Sequence, residues 1–364
     1  MNNRELMGKP VSGLDTPALL LDRDALQANI DLMAAFFQGK PSGLRPHFKS
    51  HKCTRIAKLQ MQAGAVGITC AKLGEAEVLV DAGIDKVLIA NQIVGEHKLP
   101  RLMEIARRAN VIVAVDSPGN IKDISDAADE AGVSVGVLVE VDIGMNRCGV
   151  AIGQPALELA KLVDSLPGLR FEGLQGYEGH LVLLRDEAER ADKTRAALAD
   201  LVATRTLIEN SGLKVNIVSG GGTGTYTVTG DFPGVDEVQA GSYATMDWWY
   251  GEIRPEFKQA ISILTKIVSR PKPGMAIVDV GTKGIGAEFG SPTVKNIPGA
   301  SVGRFGSEEH TVMSAPDDAL GVGDNMELIP SHGCTTCNLY REFVVHRDGI
   351  VVDIWPIEGS GKLQ

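Results

Sequence analysis

Asn110-Val-Ile-Val-Ala-Val115, then Pro118-Gly-Asn-Ile-Lys-Asp-Ile-Ser-Asp-Ala-Ala-Asp-Glu-Ala-Gly132, then Gly136-Val-Leu-Val-Glu-Val141 reads as strand, helix, strand. The outer runs are continuously apolar and β-branched, as a strand buried on both faces requires. The middle run spaces its apolar residues at helical intervals and stops at a glycine. The design recurs along the chain. Leu73–Gly83 is a second such helix, and Gly67–Thr69, Lys86–Ala90, Gly173–Tyr177, Lys214–Ser219 and Glu237–Ala240 read as further buried strands. With Leu44–Lys49 included the chain holds eight strand–helix units, which predicts an α/β fold with a closed (β/α)8 TIM-type barrel; an open doubly wound sheet is the alternative. The barrel is expected over 25–248. After about residue 250 the rhythm changes, and Ala260–Ser269, Met275–Val280, Asn325–Pro330, Arg341–Val345 and Ile350–Ile354 read as strands separated by Gly/Pro turns. A mainly β second domain is therefore expected from 1–24 and 249–364, with Thr16–Asp22 as a strand.

The 364 residues, 44% hydrophobic and 23% charged, are ample for a large core and more than one domain. A net charge of -10 argues against nucleic acid or an anionic membrane as the main partner, so small metabolites are expected instead. The amino terminus lacks an apolar signal region and no apolar run approaches a membrane span, so a cytoplasmic protein is expected. The 5 cysteines, Cys53, Cys70, Cys148, Cys334 and Cys337, are odd in number and scattered, which argues against a disulfide framework.

Chemistry is concentrated in a few places. Leu44-Arg-Pro-His-Phe-Lys49-Ser-His-Lys52 crowds cationic and imidazole side chains into one short segment. Bases so close repel one another and favour a neutral amine, which is what Schiff-base chemistry needs, so Lys49 is the candidate nucleophile; a solvated basic strand end is the alternative. In a parallel barrel the active site lies at the carboxyl ends of the strands. Lys49 is expected at the end of the first strand, with Asp142–Gly149, Tyr177–His180 and Ser219-Gly-Gly-Gly-Thr223-Gly-Thr225 following later ones. Three glycines followed by Thr-Gly-Thr offer open backbone N–H groups and hydroxyls, a cradle for phosphate, and Gly241-Ser242-Tyr243 adds a second such turn. A lysine with a phosphate cradle points to pyridoxal 5'-phosphate.

These residues carry a family resemblance. Arg45-Pro-His-Phe-Lys49-Ser-His-Lys, Glu140-Val-Asp-Ile-Gly-Met-Asn-Arg147-Cys-Gly, Gly220-Gly-Gly-Thr-Gly, Gln239-Ala-Gly-Ser-Tyr-Ala-Thr-Met-Asp247, Glu308-Glu-His310 and His332-Gly-Cys334 resemble the D-threonine aldolase and D-serine dehydratase branch of the alanine racemase (fold type III) superfamily. The resemblance implies that Lys49 binds the cofactor covalently, Arg147 bonds its phenolate, Tyr177 contacts it, and Gly222, Thr223, Gly224, Gly241, Ser242 and Tyr243 hold its phosphate. It places Gln239 where the racemases have an arginine against the pyridine nitrogen.

His332 and Cys334 are the candidate metal ligands. On an extended segment residues i and i+2 point the same way, so the pair could grip a divalent ion (Zn, Mn or Mg) while leaving positions for water and substrate. Sulfur favours zinc, and it departs from the His-x-Asp that the resemblance implies for aldolases. Cys337 is read as core. His180 and His310 are the candidate bases, with His47 and His51 as substitutes, whereas His97 and His346 are read as inert surface residues. The resemblance implies a homodimeric lyase that splits a β-hydroxy-D-amino acid into glycine and an aldehyde. The alternatives are β-elimination from D-serine or 3-hydroxy-D-aspartate, and an amino-acid racemase, for which the second acid/base is not evident.

Overall fold

Strands buried on both faces must exchange their backbone hydrogen bonds with one another, and a computed structural model, which describes residues 3–316 and 320–364, shows how they do so. Gly43–Leu44, Ile68–Cys70, Lys86–Ile89, Asn110–Val115, Val135–Glu140, Leu169–Gly176, Ile217–Gly220 and Glu237–Val238 form one eight-stranded parallel sheet. The first strand pairs with the last, Gly43 opposite Glu237. On its other side it meets the second, through a parallel bridge between His47 and Thr69 and the bonds Val66 N–H to Leu44 C=O (2.9 Å) and Thr69 N–H to Pro46 C=O (2.9 Å). The expected barrel is formed. Alternation fills it: Leu88, Ile112 and Leu138 cluster with Ile217, while Val87, Ile89, Val111, Val113, Val137 and Val139 pack with the helices.

One expectation needs correction. Leu44–Lys49 is not a strand; the regular ladder ends at Leu44 and Phe48–Ser50 is a short 3-10 turn that carries Lys49. Beyond Leu44 the pairing runs on only as separate bonds, Arg45 N–H to Val238 C=O (2.9 Å) and His47 N–H to Ala240 C=O (3.1 Å), and Pro46 between them has no N–H to add. The seam there is held by a buried bidentate ion pair, Arg45 Nε to Glu237 Oε2 at 2.8 Å and Nη2 to Oε1 at 2.5 Å. Helix Pro118–Ala131 begins where Ser117 Oγ accepts from the Asn120 N–H, and ends at Gly132 in the left-handed conformation (φ 62°).

The second sheet has nine strands. Its path runs Ser301–Arg304, Thr311–Ser314, Met275–Val278, Ile261–Ser269, Ala18–Asp22, Glu342–Arg347, Ile350–Pro356, with Asn325–Ile329 and Thr293–Val294 branching from the long strand. Ala18–Asp22 lies antiparallel to Ile261–Leu264 and parallel to Val344–His346. Leu14, Leu20, Leu264, Val344 and Val351 form its core. Thr293–Val294, Ser301–Arg304 and Thr311–Ser314 escape a sequence reading because they are short and largely lack buried alternation. His346 is not a surface residue: it is buried on its strand, its Nδ1 has no partner among the described residues, and burial lowers its pKa.

The chain divides into two compact units, one of Met1–Leu32, Ser50–Arg55 and Ser242–Gly361, the other of Met33–Lys49, Ile56–Gly241 and Lys362–Gln364. Among the described residues no helix is long and apolar enough to cross a membrane.

Candidate active site

Tyr177, just past the strand Leu169–Gly176, is a centre around which the cofactor candidates of the barrel unit collect. Lys49 Nζ lies 5.8 Å from the centre of its ring and the Arg147 guanidinium carbon 5.7 Å from it. The glycine turn is the third wall: a Cβ on Gly222 would stand 3.5 Å from the Tyr177 ring and 3.7 Å from its hydroxyl. The turn tolerates only glycine at two places. Gly221 has φ +74°, and a Cβ on Gly224 would fall 1.8 Å from the Val182 carbonyl oxygen. A buried carboxylate that the sequence reading passed over shapes it. Glu178 accepts from the Gly221 N–H (3.2 Å), Thr225 Oγ1 (2.7 Å) and Thr229 Oγ1 (2.9 Å). Thr223 is buried within the same turn. An amine, an aromatic face, a guanidinium and an open backbone turn suit a pyridine ring that bears a phenolate and a phosphate; the residues fit pyridoxal phosphate.

The loop that delivers Arg147 is tied at both ends. Asp142 Oδ1 accepts from the Gly144 and Asn146 N–H groups (2.9 and 3.1 Å), and Asp116 Oδ2 accepts from the Gly149 N–H at 3.0 Å. Asp116 also accepts from Gln92 Nε2 (3.0 Å), which donates at the same time to Glu140 at 2.9 Å. Burial pushes the Glu140 carboxyl above its ordinary value, against the pull of the Gln92 amide and the Arg147 charge. Gln239 Nε2 donates to Gln175 Oε1 and to Ser219 Oγ, both at 3.0 Å.

In the other unit, His332 and Cys334 come together, but not on an extended segment as expected. His332 caps the short helix Gly333–Leu339, so Cys334 sits in its first turn. Asp247, fully buried, organises the pair: its Oδ2 meets His332 Nδ1 at 2.9 Å and accepts from the Gly333 N–H at 2.8 Å, while Oδ1 accepts from the Tyr250 N–H at 2.9 Å to cap helix Trp248–Ile253. A carboxylate on one imidazole nitrogen leaves the other for a cation. Phe289 packs on the imidazole at 4.5 Å. Burial opposes the imidazolium, but Cys334 and Asp247 outweigh it and push His332 up to about 11. A divalent cation would take the place of that proton. Among the described residues no group of three or more His, Cys, Asp and Glu is arranged to hold a metal. The imidazole of His332 and the sulfur of Cys334 are donor types that suit a divalent cation.

Ser242 Oγ lies 3.9 Å from Cys334 Sγ. Tyr243 is fully buried and packs on Phe257 at 5.8 Å. Gly241 is buried, Cys337 is in the core as read, and His47 and His51 are buried. His180 and His310 are exposed; His180 stands over Gly144, where a Cβ would lie 3.1 Å from the imidazole. Asp247 is the functional residue most clearly missed, although a capping aspartate ahead of Trp248-Trp249-Tyr250 was a readable signal.

Residues 21–247 match the family described as alanine racemase, N-terminal domain, and 260–346 match the putative serine dehydratase domain. The chain is 39% identical to D-threonine aldolase of Arthrobacter sp over 97% of its own length and 95% of the relative's. It is 36% identical to 3-hydroxy-D-aspartate aldolase of Paracoccus denitrificans over 98% of this chain and 95% of that protein. The solved structure of D-threonine aldolase from Filomicrobium marinum superposes with a TM-score of 0.96 at 40% identity, covering 98% of this chain and 99% of that one.

Proposed function

We propose, from the premise that the chain belongs to the alanine racemase-like family that holds these aldolases, that it is a lyase cleaving β-hydroxy-D-amino acids between Cα and Cβ to give glycine and an aldehyde. The observation that carries this reading is the gathering of Lys49, Arg147 and the Gly222 backbone around the ring of Tyr177. Pyridoxal phosphate, when bound, supplies the electron sink for the pair released at Cα. Lys49 would hold it covalently, Tyr177 would contact it and Arg147 would bond its phenolate. Gly222, Thr223, Gly224, Gly241, Ser242 and Tyr243 would hold the phosphate, and Gln239 would stand at the pyridine nitrogen.

His332 and Cys334 would hold a divalent cation, zinc by the softness of sulfur, whose charge would favour the deprotonated β-hydroxyl. Asp247 fixes the imidazole that does so. His180 and His310 are the candidates to carry the hydroxyl proton, and exposure keeps either in exchange with water. In this proposal 25–248 supplies the cofactor chemistry and 1–24 with 249–364 the cation, and the protein works as a homodimer. β-Elimination is the second reading, favoured by Cys334 and by the match of 260–346 to a serine dehydratase domain.

Purified protein incubated with D-threonine, D-serine and 3-hydroxy-D-aspartate, with and without chelator, tests both. Glycine with an aldehyde or glyoxylate supports the aldolase, keto acid with ammonia supports the dehydratase, and chelator-insensitive D-to-L conversion alone would refute both.

A further inference from the structure

We propose that Glu178 is a positioning residue for the cofactor phosphate, holding the turn Gly220–Thr225 in the shape that receives it, an inference that rests on the pyridoxal phosphate reading above. Glu178 is fully buried, as are Thr225 and Thr229. Its carboxylate gathers three donors, the Gly221 N–H on Oε2 (3.2 Å) and the hydroxyls of Thr225 (2.7 Å) and Thr229 (2.9 Å) on Oε1.

A hydroxyl has one hydrogen, and the short bond to Glu178 claims the one on Thr225. Thr225 Oγ1 therefore turns lone pairs to the glycines. The Gly222 N–H donates to it at 3.2 Å, and the Thr225 N–H returns to the Gly222 carbonyl at 3.1 Å. One carboxylate thus fixes two successive amides, Gly221 directly and Gly222 through Thr225. Thr229 lies in the helix Tyr226–Asp231, so the same carboxylate also ties the turn to the element that follows it. The glycine run by itself suggests open N–H groups; two of them are instead spent inside the turn, and Gly221 and Gly222 serve a phosphate by the room they leave.

The charge of a carboxylate opposes a phosphate nearby, so the service of Glu178 to an anion seat is one of shape. Glycine loses more conformational freedom on ordering than any other residue. A turn already held by Glu178 has met that cost before the phosphate arrives, which leaves more of the contact energy as affinity.

The test titrates cofactor-free full-length enzyme with pyridoxal phosphate and with pyridoxal, which lacks the phosphate, and follows the visible absorption of the attached ring. The parent is expected to bind the phosphate form more tightly. Glu178→Ala leaves the Gly221 N–H and two hydroxyls without their acceptor, and should lower affinity for pyridoxal phosphate about tenfold or more while changing that for pyridoxal by less than about threefold. Thr225→Val keeps the carboxylate but cuts the link to Gly222, and should move the ratio of affinities the same way. Glu178→Gln should restore the parent ratio or raise it, because its carbonyl can take the Gly221 N–H, its NH2 can give to both threonine hydroxyls, and the opposing charge is gone. A ratio unmoved in both Glu178→Ala and Thr225→Val, equal losses for the two forms, or a loss in Glu178→Gln as deep as in Glu178→Ala would overturn the inference alone. Failure of the parent to take up either form would overturn the function proposal with it.

Discussion

Lys49 is one of several bases in a single segment, and the structure separates it from its neighbours by giving them other work. Arg45 is spent on Glu237, and Lys52 Nζ donates to the Gly359 carbonyl at 3.4 Å. Lys49 faces the aromatic ring of Tyr177 instead. Lys49→Ala is therefore expected to remove the visible absorption of bound cofactor, and retention of that colour would move the attachment elsewhere. The residue beside the cation makes a different prediction. Asp247 holds His332 Nδ1 at 2.9 Å, so in the proposed cation site Asp247→Ala should weaken cation affinity by about 10–100-fold with cofactor content unchanged. A titration of metal-stripped variant and parent with zinc, showing equal affinities, would remove Asp247 from this role. The sequence revealed the His-x-Cys pair and the basic segment but not these pairings: the capping role of Asp247 could be read locally, but its contact with an imidazole 85 positions away could not.

At the scale of elements, the strand–helix rhythm was legible because parallel strands buried on both faces are apolar throughout, and because Gly132 ends its helix as the sequence indicated. What was not legible were ends. The first strand gives way to a 3-10 turn at Phe48 where the sequence reads as strand to Lys49, and His332 opens a helix where spacing alone reads as extended. The seam between the first and last barrel strands is where one change should cost most at this scale. Glu237→Ala leaves the Arg45 guanidinium buried without its carboxylate and should destabilise by about 3–5 kcal/mol. Urea denaturation would check it, and a midpoint equal to the parent's would show that Arg45 finds another acceptor.

For the molecule as a whole, pH is the variable that reports on buried charge. His346, lowered from an ordinary 6.5 chiefly by burial, binds its proton more weakly folded than unfolded. Its contribution is complete above 6.5 and lost as pH falls toward the folded value. Glu327 is lowered from 4.5: burial opposes the carboxylate, and the hydrogen bonds from Lys295 (2.7 Å) and Ser262 (2.6 Å) outweigh it, so its contribution disappears below 4.5. Glu140 is raised and works with the opposite sign, its contribution fading as pH rises through its folded value. The acid limb of stability should therefore begin near 6.5 and steepen below 4.5, with His346→Gln flattening the upper part and Glu327→Gln the lower. Urea midpoints that trace the parent's pH curve in both variants would contradict this. By itself the chain of residues determined the (β/α)8 barrel and the strand-rich remainder and singled out the basic segment, the glycine turn and the His-x-Cys pair as candidates, because burial pattern and turn chemistry are written in neighbouring positions. Only tertiary structure decided which base faces the ring of Tyr177 and which carboxylate aims the His332 imidazole, because each of those depends on a partner brought from a distant part of the chain.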